Sequence, residues 1–273
     1  MIKFSTYTPA ESLTEYIQSY GIIDEPEDYQ SEYISPPIGM SGFILQLGNP
    51  SPLQKVLING VKYLEHSYSV TGQITVPVVG KIAGRVKSVL VFFNPLGMHQ
   101  LFRNNMELLT NKSMSLHSFL GEDKATDLIS KLRACATQLQ LTAQLDSFFM
   151  EQRGKPRNFD KLKEALTFIH QHNGNIAISQ IEKECFIHRK SLERHFLVCI
   201  GISPKTYSQI YRFKSLVSHV SQNPKITWQE LCNYHGYYDQ SHLNRYFKEY
   251  LNISPNELVK LDLDFINYLL KKS

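Results

Sequence analysis

The chain has 273 residues, 42% of them apolar, and its 29 Lys and Arg against 25 Asp and Glu give a formal net charge of +4. This composition excludes a wholly disordered or fibrous chain, and the length favours two domains. The sequence has no run of about 18 apolar residues and no signal-like start, so we expect a cytoplasmic protein without a membrane partner, with its four cysteines reduced.

Residues 1–150 are predicted to form a β-rich domain that ends in helices. Four residues at helical spacing predict an opening helix: Leu13, Tyr16, Ile17 and Tyr20. Between residues 30 and 95, short runs rich in β-branched and aromatic residues predict strands, and Pro77 predicts an edge or a bulge. Apolar residues from Leu128 to Leu139 and from Leu141 to Phe148 then predict two amphipathic helices.

The rest of the chain is predicted to be helical, and it carries the whole charge surplus. Residues 1–157 hold 14 basic and 14 acidic side chains, whereas residues 158–273 hold 15 and 11. The polar segment 151–158 contains a Gly and a Pro and predicts a linker. We therefore expect a second domain over 159–260 and a C-terminal helical extension over 261–273.

The second domain contains an internal repeat. Residues 186–207 align with residues 237–258 at a constant offset of 51, and upstream Ile181 corresponds to Leu231, with one extra residue in the second turn. The matched pairs include Leu192 with Leu243, Arg194 with Arg245, Phe196 with Phe247, and Ser203-Pro204 with Ser254-Pro255. Each copy has the pattern of a helix-turn-helix, in which a short helix buries Ile181 or Leu231 and a second helix buries apolar residues at i and i+4.

The opposite face of each second helix carries candidate DNA-binding residues. They are Arg189, Lys190, Ser191, Glu193 and Arg194 in the first copy, and Gln240, Ser241, His242, Asn244 and Arg245 in the second. Asn and Gln pair with adenine and Arg with guanine in the major groove, whereas Glu accepts from cytosine but repels phosphate. One such face is equally typical of a solvated helix, but two copies in register favour DNA binding. Further candidates, for phosphate contacts, are Lys205, Thr206 and Lys248.

The segment between the two copies predicts a long helix that acts as a strut. Ser203-Pro204 supplies a cap and a first helical residue, and Asn223-Pro224 stops the helix. Nineteen helical residues span roughly 28 Å. Successive major-groove faces on one side of B-DNA lie about 34 Å apart. The spacing therefore predicts two recognition helices in adjacent major grooves.

Residues 161–260 resemble the DNA-binding domain of the AraC/XylS transcriptional regulators, in which a long helix joins two helix-turn-helix units. The resemblance is strongest in GYYDQSHLNRYFKEYLNISPNEL (236–258), where a Gly-aromatic turn leads to an aromatic-Lys pair and then to Ser-Pro. Glu182 departs from the family pattern, which usually has Ala there. The resemblance implies a transcriptional regulator whose partner is double-stranded DNA.

Residues 66–102, including FFNPLG, are similar to the sensor-type domain attached to some of these regulators. This similarity implies an α+β, two-domain protein, with a small cupin-like β-barrel and helices that often form a dimer contact, followed by an all-α tandem helix-turn-helix domain. Five aromatic residues either line a pocket in the barrel or fill its core: Tyr33, Phe43, Tyr63, Phe92 and Phe93. The further partners expected are a small-molecule effector of unidentified chemistry and a second copy of the chain. The helical leucine stripes are most simply explained by packing within the domain, and a dimer seam, which the resemblance favours, is the alternative.

Catalytic and metal-binding patterns were weighed against simpler explanations. Cys185-x-x-His188 and Cys232-x-x-His235 have zinc-like spacing but fall at different places in the two repeats, so core positions explain them. Without a catalytic or phosphate-cradling motif, we predict no enzyme, no metal and no cofactor. The rival hypothesis is a small-molecule- or protein-binding module without specific DNA binding. Salt separates the two hypotheses, because DNA affinity falls steeply with salt.

Overall fold

The computed structural model describes residues 4–25, 30–48, 53–58, 61–62, 66–155, 157–223 and 225–258. The strands are β1 (Phe4–Tyr7), β2 (Ile17–Glu25), β3 (Gln30–Ser35), β4 (Gly42–Gln46), β5 (Leu53–Ile58), β6 (Val61–Lys62), β7 (Tyr68–Thr71), β8 (Val78–Ala83), β9 (Val86–Phe93) and β10 (Ser113–Ser115). The first four helices are α1 (Gly97–Phe102), α2 (Leu116–Leu120), α3 (Glu122–Ala134) and α4 (Gln138–Glu151). The others are α5 (Asp160–Gln171), α6 (Ile178–Glu184), α7 (Arg189–Cys199), α8 (Pro204–Gln222), α9 (Trp228–His235), α10 (Gln240–Leu251) and α11 (Pro255–Leu258).

The strands form two antiparallel sheets. One sheet has the order β1-β2-β9-β4-β7-β10, and the other has the order β3-β8-β5-β6. The predicted small β-barrel is corrected to two separate sheets, because no ladder among the described residues joins them into a closed ring. Pro36-Pro37 separates β3 from β4 and Pro77 separates β7 from β8, and at both places the chain changes sheet. Proline cannot donate to a ladder, so Pro36 ends β3 and Pro77 stands just before the first residue of β8. Pro77 leads into a central strand, not an edge.

The predicted opening helix is also wrong. Only Glu11–Leu13 forms a helical turn, of the 3₁₀ type, and β2 begins at Ile17. The pairing of β2 with β9 shifts register between Ile17 and Ser19, so Ile17 lies opposite Phe93 and Tyr20 lies opposite Val91. Because of this bulge, two residues three positions apart face the same core, which imitates helical spacing.

One face of the six-stranded sheet packs against the helices α1–α4. Phe43 is paired with Val91 and Val70, and it shares a buried cluster with Phe93 and Phe149. The two predicted amphipathic helices are confirmed as α3 and α4, with one correction: Leu139 is 76% exposed. Thr137 caps a new helix that begins at Gln138, which turns Leu139 away from the core.

The helices α5–α11 surround a second core, which lies beneath the candidate DNA-binding residues. The predicted stripe on α5 is confirmed, since Leu162, Ala165, Leu166 and Ile169 are all buried. The chain leaves α5 through Gly174, which has a φ of +72°. None of the helices in the described ranges is long and apolar enough to cross a bilayer. The predicted extension over 261–273 lies outside the described residues.

Candidate nucleic-acid interface

Two helix-turn-helix units form the core of the second domain. The first unit pairs α6 with α7, and the second pairs α9 with α10. The residues predicted as their core are all fully buried: Ile181, Leu192 and Phe196 in the first unit, and Leu231, Leu243 and Phe247 in the second. This burial leaves the remaining faces of α7 and α10 free for polar side chains, as the repeat pattern predicted.

The outer face of α7 is basic. Arg189, Lys190 and Arg194 are exposed, whereas Ser191 and Glu193 are partly covered. The Nε of Arg189 lies 2.9 Å from Oε1 of Glu193, an i,i+4 ion pair. This ion pair raises the pKa of Arg189. The carboxylate of Glu193 therefore neutralises Arg189, one of the cations on this face. Lys190 and Arg194 make no ion pair with any residue that the structure describes.

The outer face of α10 carries amide, hydroxyl and guanidinium groups. Gln240, Ser241, Asn244 and Arg245 are exposed. His242 is placed differently, because its ring packs edge-on against Tyr237 and Tyr246, with centroids 5.7 and 5.3 Å away. Its backbone N–H donates to the helix-capping Oδ1 of Asp239 over 2.7 Å. His242 thus braces the turn, and the four exposed residues remain available to a ligand.

The helix α8 joins the two units, with the bounds predicted from its caps. The Oγ of Ser203 accepts from the backbone N–H of Thr206 over 3.1 Å, and Pro204 is the first helical residue. The helix has 19 residues, which span roughly 28 Å. Of the candidate phosphate contacts, Lys205 and Lys248 are exposed, whereas the hydroxyl of Thr206 lies 2.9 Å from Oγ of Ser203 in the cap.

The N-terminal domain contacts the first unit directly. A 3₁₀ turn over Met106–Leu109 packs against α7, and the Thr110 hydroxyl donates to the carbonyl of Gly201, in the turn between α7 and α8. A Cβ at Gly201 would lie 2.9 Å from the carbonyl oxygen of Met106, so a residue without a side chain is needed here. The sequence analysis did not predict this contact, although Gly201, just before Ile202-Ser203-Pro204, was a signal for it.

Other contacts extend this junction to α5 and to the core of the helical domain. Lys163 on α5 forms an ion pair with Glu15, and together with Gln100 it lowers the pKa of Glu15. Leu96 belongs to the helical core, and Ile38 packs against the same core. The helical domain is thus held against the N-terminal domain at several points along the chain.

A buried polar cluster lies on α8 and α5 within the second core. His170 stacks on Tyr211 with centroids 4.2 Å apart, and its Nε2 lies 2.9 Å from the hydroxyl of Tyr207. Burial lowers the pKa of His170 to about 4, with a smaller contribution from Lys214. Burial also lowers the pKa of Lys214 to about 8. Lys214 is 3% exposed and has no carboxylate partner among the described residues. No pattern in the sequence indicated this cluster.

The aromatic residues proposed to line a pocket do not converge. Phe43 and Phe93 pack on the helix-covered face of the six-stranded sheet. Phe92 packs with Met40 on the opposite face, and Tyr33 packs with Ile23 and Val86. Tyr63 lies outside the described residues. Phe43 and Phe93 therefore fill the core, which is the alternative that the sequence left open.

The cysteine and histidine pairs do not form a metal cluster. All four cysteines are free and buried, and burial raises the pKa of the Cys185 and Cys232 thiols. Within the described ranges, no group of three or more His, Cys, Asp or Glu side chains is placed to hold a metal ion. Cys185 and Cys232 are core residues.

Two parts of the chain match known domain families. Residues 182–260 match the model of a helix-turn-helix domain, and residues 5–115 match the model of a domain of unknown function. The resemblance assigned to the C-terminal region from its sequence is confirmed by the first match. No curated protein matches the chain significantly in sequence.

The chain is also similar to several solved structures. ToxT from Vibrio cholerae is 12% identical, with 100% of this chain and 99% of that chain covered and a TM-score of 0.44. Unsaturated fatty acid bound wild-type ToxT is 13% identical, with 95% and 94% covered and a TM-score of 0.43. The AraC-like transcriptional activator CuxR is 11% identical, with 81% and 87% covered and a TM-score of 0.27.

Proposed function

Because residues 182–260 form an AraC-type helix-turn-helix domain, we propose that this protein is a transcriptional regulator that binds double-stranded DNA sequence-specifically. One recognition helix, α7 or α10, enters each of two adjacent major grooves. The observation that carries this proposal is the pair of exposed polar faces on two helix-turn-helix units that a 19-residue helix joins. Its span of roughly 28 Å suits neighbouring grooves about 34 Å apart.

The two faces differ in the chemistry that they offer to DNA. On α10, Gln240 and Asn244 suit adenine and Arg245 suits guanine. On α7, Lys190 and Arg194 have no acidic partner among the described residues, whereas Arg189 is held by Glu193. We therefore assign most base recognition to the second unit, and to the first unit a mixture of base and phosphate contacts. Lys205 and Lys248 are assigned to the phosphate backbone.

We infer that the N-terminal domain, residues 1–150, controls this non-catalytic activity through the first unit, in response to an effector, to dimerisation or to both. The contact between Thr110 and Gly201 and the ion pair between Glu15 and Lys163 support this inference. An effector must bind the active and inactive arrangements with different affinities, and a movement at this junction would supply that difference. We place the domain boundary between the end of α4 and the start of α5.

Selection of genomic DNA fragments with the full-length protein tests the proposed function. We expect enrichment of a motif with two half-elements about one helical turn apart. Affinity for that motif should fall steeply with salt, because phosphate contacts release counterions. A protein that enriches no motif, and whose ligand affinity is insensitive to salt, would instead be the small-molecule- or protein-binding module.

The control by the N-terminal domain has a separate test. Thr110→Val and Lys163→Gln remove two junction contacts without touching either recognition helix. If the junction transmits control, each variant will change the affinity of the full-length protein for its selected motif, and sedimentation will show whether the oligomeric state changes with it. Unchanged affinity and an unchanged oligomeric state in both variants would remove the regulatory inference and leave the DNA-binding function intact.

A further inference from the structure

A polar seam joins the two helix-turn-helix units behind their recognition helices. We define the inter-unit seam as Gly174, Asn175, Arg212, Gly236 and Tyr237. It brings together the loop before α6, the middle of α8 and the turn between α9 and α10. No motif in the sequence marked these residues as a group.

Arg212 lies at the centre of the inter-unit seam. Its Nε donates to the carbonyl of His235, the last residue of α9, over 2.6 Å. Its guanidinium carbon lies 4.1 Å from the ring centroid of Tyr237, which is 4% exposed. A guanidinium both donates in its plane and stacks on its face, so one side chain fixes the position and the orientation of this turn.

The seam reaches the first unit through two glycines. A Cβ at Gly174 would lie 2.2 Å from the carbonyl oxygen of Ser208 and 2.5 Å from the nitrogen of Arg212, so the loop before α6 rests directly on the backbone of α8. A Cβ at Gly236 would lie 2.3 Å from Nδ2 of Asn175. The loop of the first unit and the turn of the second therefore touch each other as well as α8.

Contacts on either side of the inter-unit seam limit movement further. The Nε2 of Gln209 donates to the hydroxyl of Tyr246 on α10 over 3.1 Å. Tyr237 packs edge-on against the same Tyr246, with centroids 5.3 Å apart. The recognition helix α10 is thus tied to α8 through Tyr246, and the turn that precedes it is tied to α8 through Arg212.

We propose that Arg212 is a positioning residue that sets the distance between the two half-elements that one protein molecule recognises. This inference rests on the proposed function and deepens it, because it assigns the spacing to a residue on neither recognition helix. Two linked binding modules gain affinity only when their geometry allows both to bind at once. A rigid seam therefore selects one spacing, whereas a loosened seam admits several spacings and binds each less tightly.

The test compares full-length wild-type protein with Arg212→Lys, Arg212→Met and Tyr237→Leu in selections from random DNA, followed by affinity measurements. Lysine keeps the charge but cannot donate to His235 and stack on Tyr237 together. We expect wild-type protein to enrich two half-elements at one spacing, and each variant to enrich the same half-elements at two or more spacings. Affinity for the wild-type site should fall by about tenfold or more, and affinity for a single half-element should change less than twofold.

Lys205→Met on the same helix is the matched control. It should weaken binding equally at every spacing, because a phosphate contact carries no information on spacing. Variants that keep the single spacing at full affinity would overturn the assignment. So would loss of helicity in circular dichroism, or an equal loss on single half-elements, because Arg212 would then be structural only. If wild-type protein enriches no motif, the proposed function itself has failed.

Discussion

Phe186 and Gly236 each lie five residues after the buried residue of the first helix in their unit, Ile181 or Leu231, and both are left-handed, with φ values of +46° and +68°. In each unit the next residue donates its backbone N–H to a carbonyl five residues earlier: Ile187 to Glu182 over 3.2 Å, and Tyr237 to Cys232 over 2.9 Å. The second unit uses glycine where this turn needs it. The first unit holds a phenylalanine there.

This relationship leads to a prediction about stability. The side chain of Phe186 is 84% exposed and gains no packing that would offset the strain of its backbone. Phe186→Gly should stabilise the protein by about 0.5–1 kcal/mol, the cost of a left-handed side-chain-bearing residue less the added freedom of glycine in the unfolded chain. Urea unfolding measures this. Phe186→Ala keeps the Cβ and should give no comparable gain; equal gains in both variants would refute the strain explanation.

Removal of the carboxylate on α7 should strengthen DNA binding. Glu193→Gln releases Arg189 from its ion pair and removes a charge that repels phosphate. Non-specific affinity should rise, and the slope of log K against log salt should steepen by about one unit. Asp127→Asn is the matched control, since it breaks a similar i,i+4 pair with Lys131 on α3. If both substitutions have the same effect, general charge is responsible and the location of Glu193 is irrelevant.

Arg245 should affect specific binding more than non-specific binding. Arg245→Ala should cost about 1–3 kcal/mol at the preferred site if the guanidinium contacts a base, and much less on random DNA. Lys248→Ala, one turn along the same helix, should weaken both by similar factors. Leu243→Ala separates folding from binding, because loss of this fully buried side chain should destabilise the domain by about 2–5 kcal/mol. Equal losses on both DNAs would make Arg245 a phosphate contact.

The buried Lys214 should make the protein more stable in alkaline solution. Burial lowers its pKa from the usual value of 10.5 to about 8. Between these values the unfolded chain binds the proton and the folded chain does not, so stability rises with pH. Lys214→Met should therefore stabilise the protein at pH 7 by roughly 2–3 kcal/mol, and the difference should shrink toward pH 10.5. Urea unfolding at pH 7 and pH 10 measures both effects. A constant difference between wild type and variant at the two pH values would contradict this origin.

The parts of the fold that sequence predicted are those with local signals. Ser203-Pro204 fixed the start of α8 through a cap and a first-turn proline, and helical periodicity placed Leu192 and Phe196 in the core. Both signals act within a few residues, so the structures that they predict do not depend on contacts with distant parts of the chain. The exposed face of α10 followed from the same periodicity, because burial of one side of a helix determines the other.

The features that sequence missed depend on contacts between distant residues. The bulge between Ile17 and Ser19 depends on pairing with β9, some seventy residues later in the chain. A reader of the sequence alone cannot see this pairing, so the spacing of Leu13, Ile17 and Tyr20 indicates a helix. The division into two sheets likewise depends on which distant strands pair with each other, and no local pattern records that pairing. In the sequence, nothing distinguishes Arg212 from the other polar residues of α8. Its contacts with His235 and Tyr237 become visible only in the folded structure.

The central claim is that two recognition helices of one chain bind specific duplex DNA. Its most direct test is the affinity of the full-length protein for a fragment selected from genomic DNA, measured against a shuffled fragment over a series of salt concentrations. We expect a dissociation constant on the order of 10⁻⁸ M or tighter for the selected fragment in moderate salt, weaker binding to the shuffled one, and a steep loss of both with salt. Equal affinity for the two fragments at every salt concentration would contradict the claim.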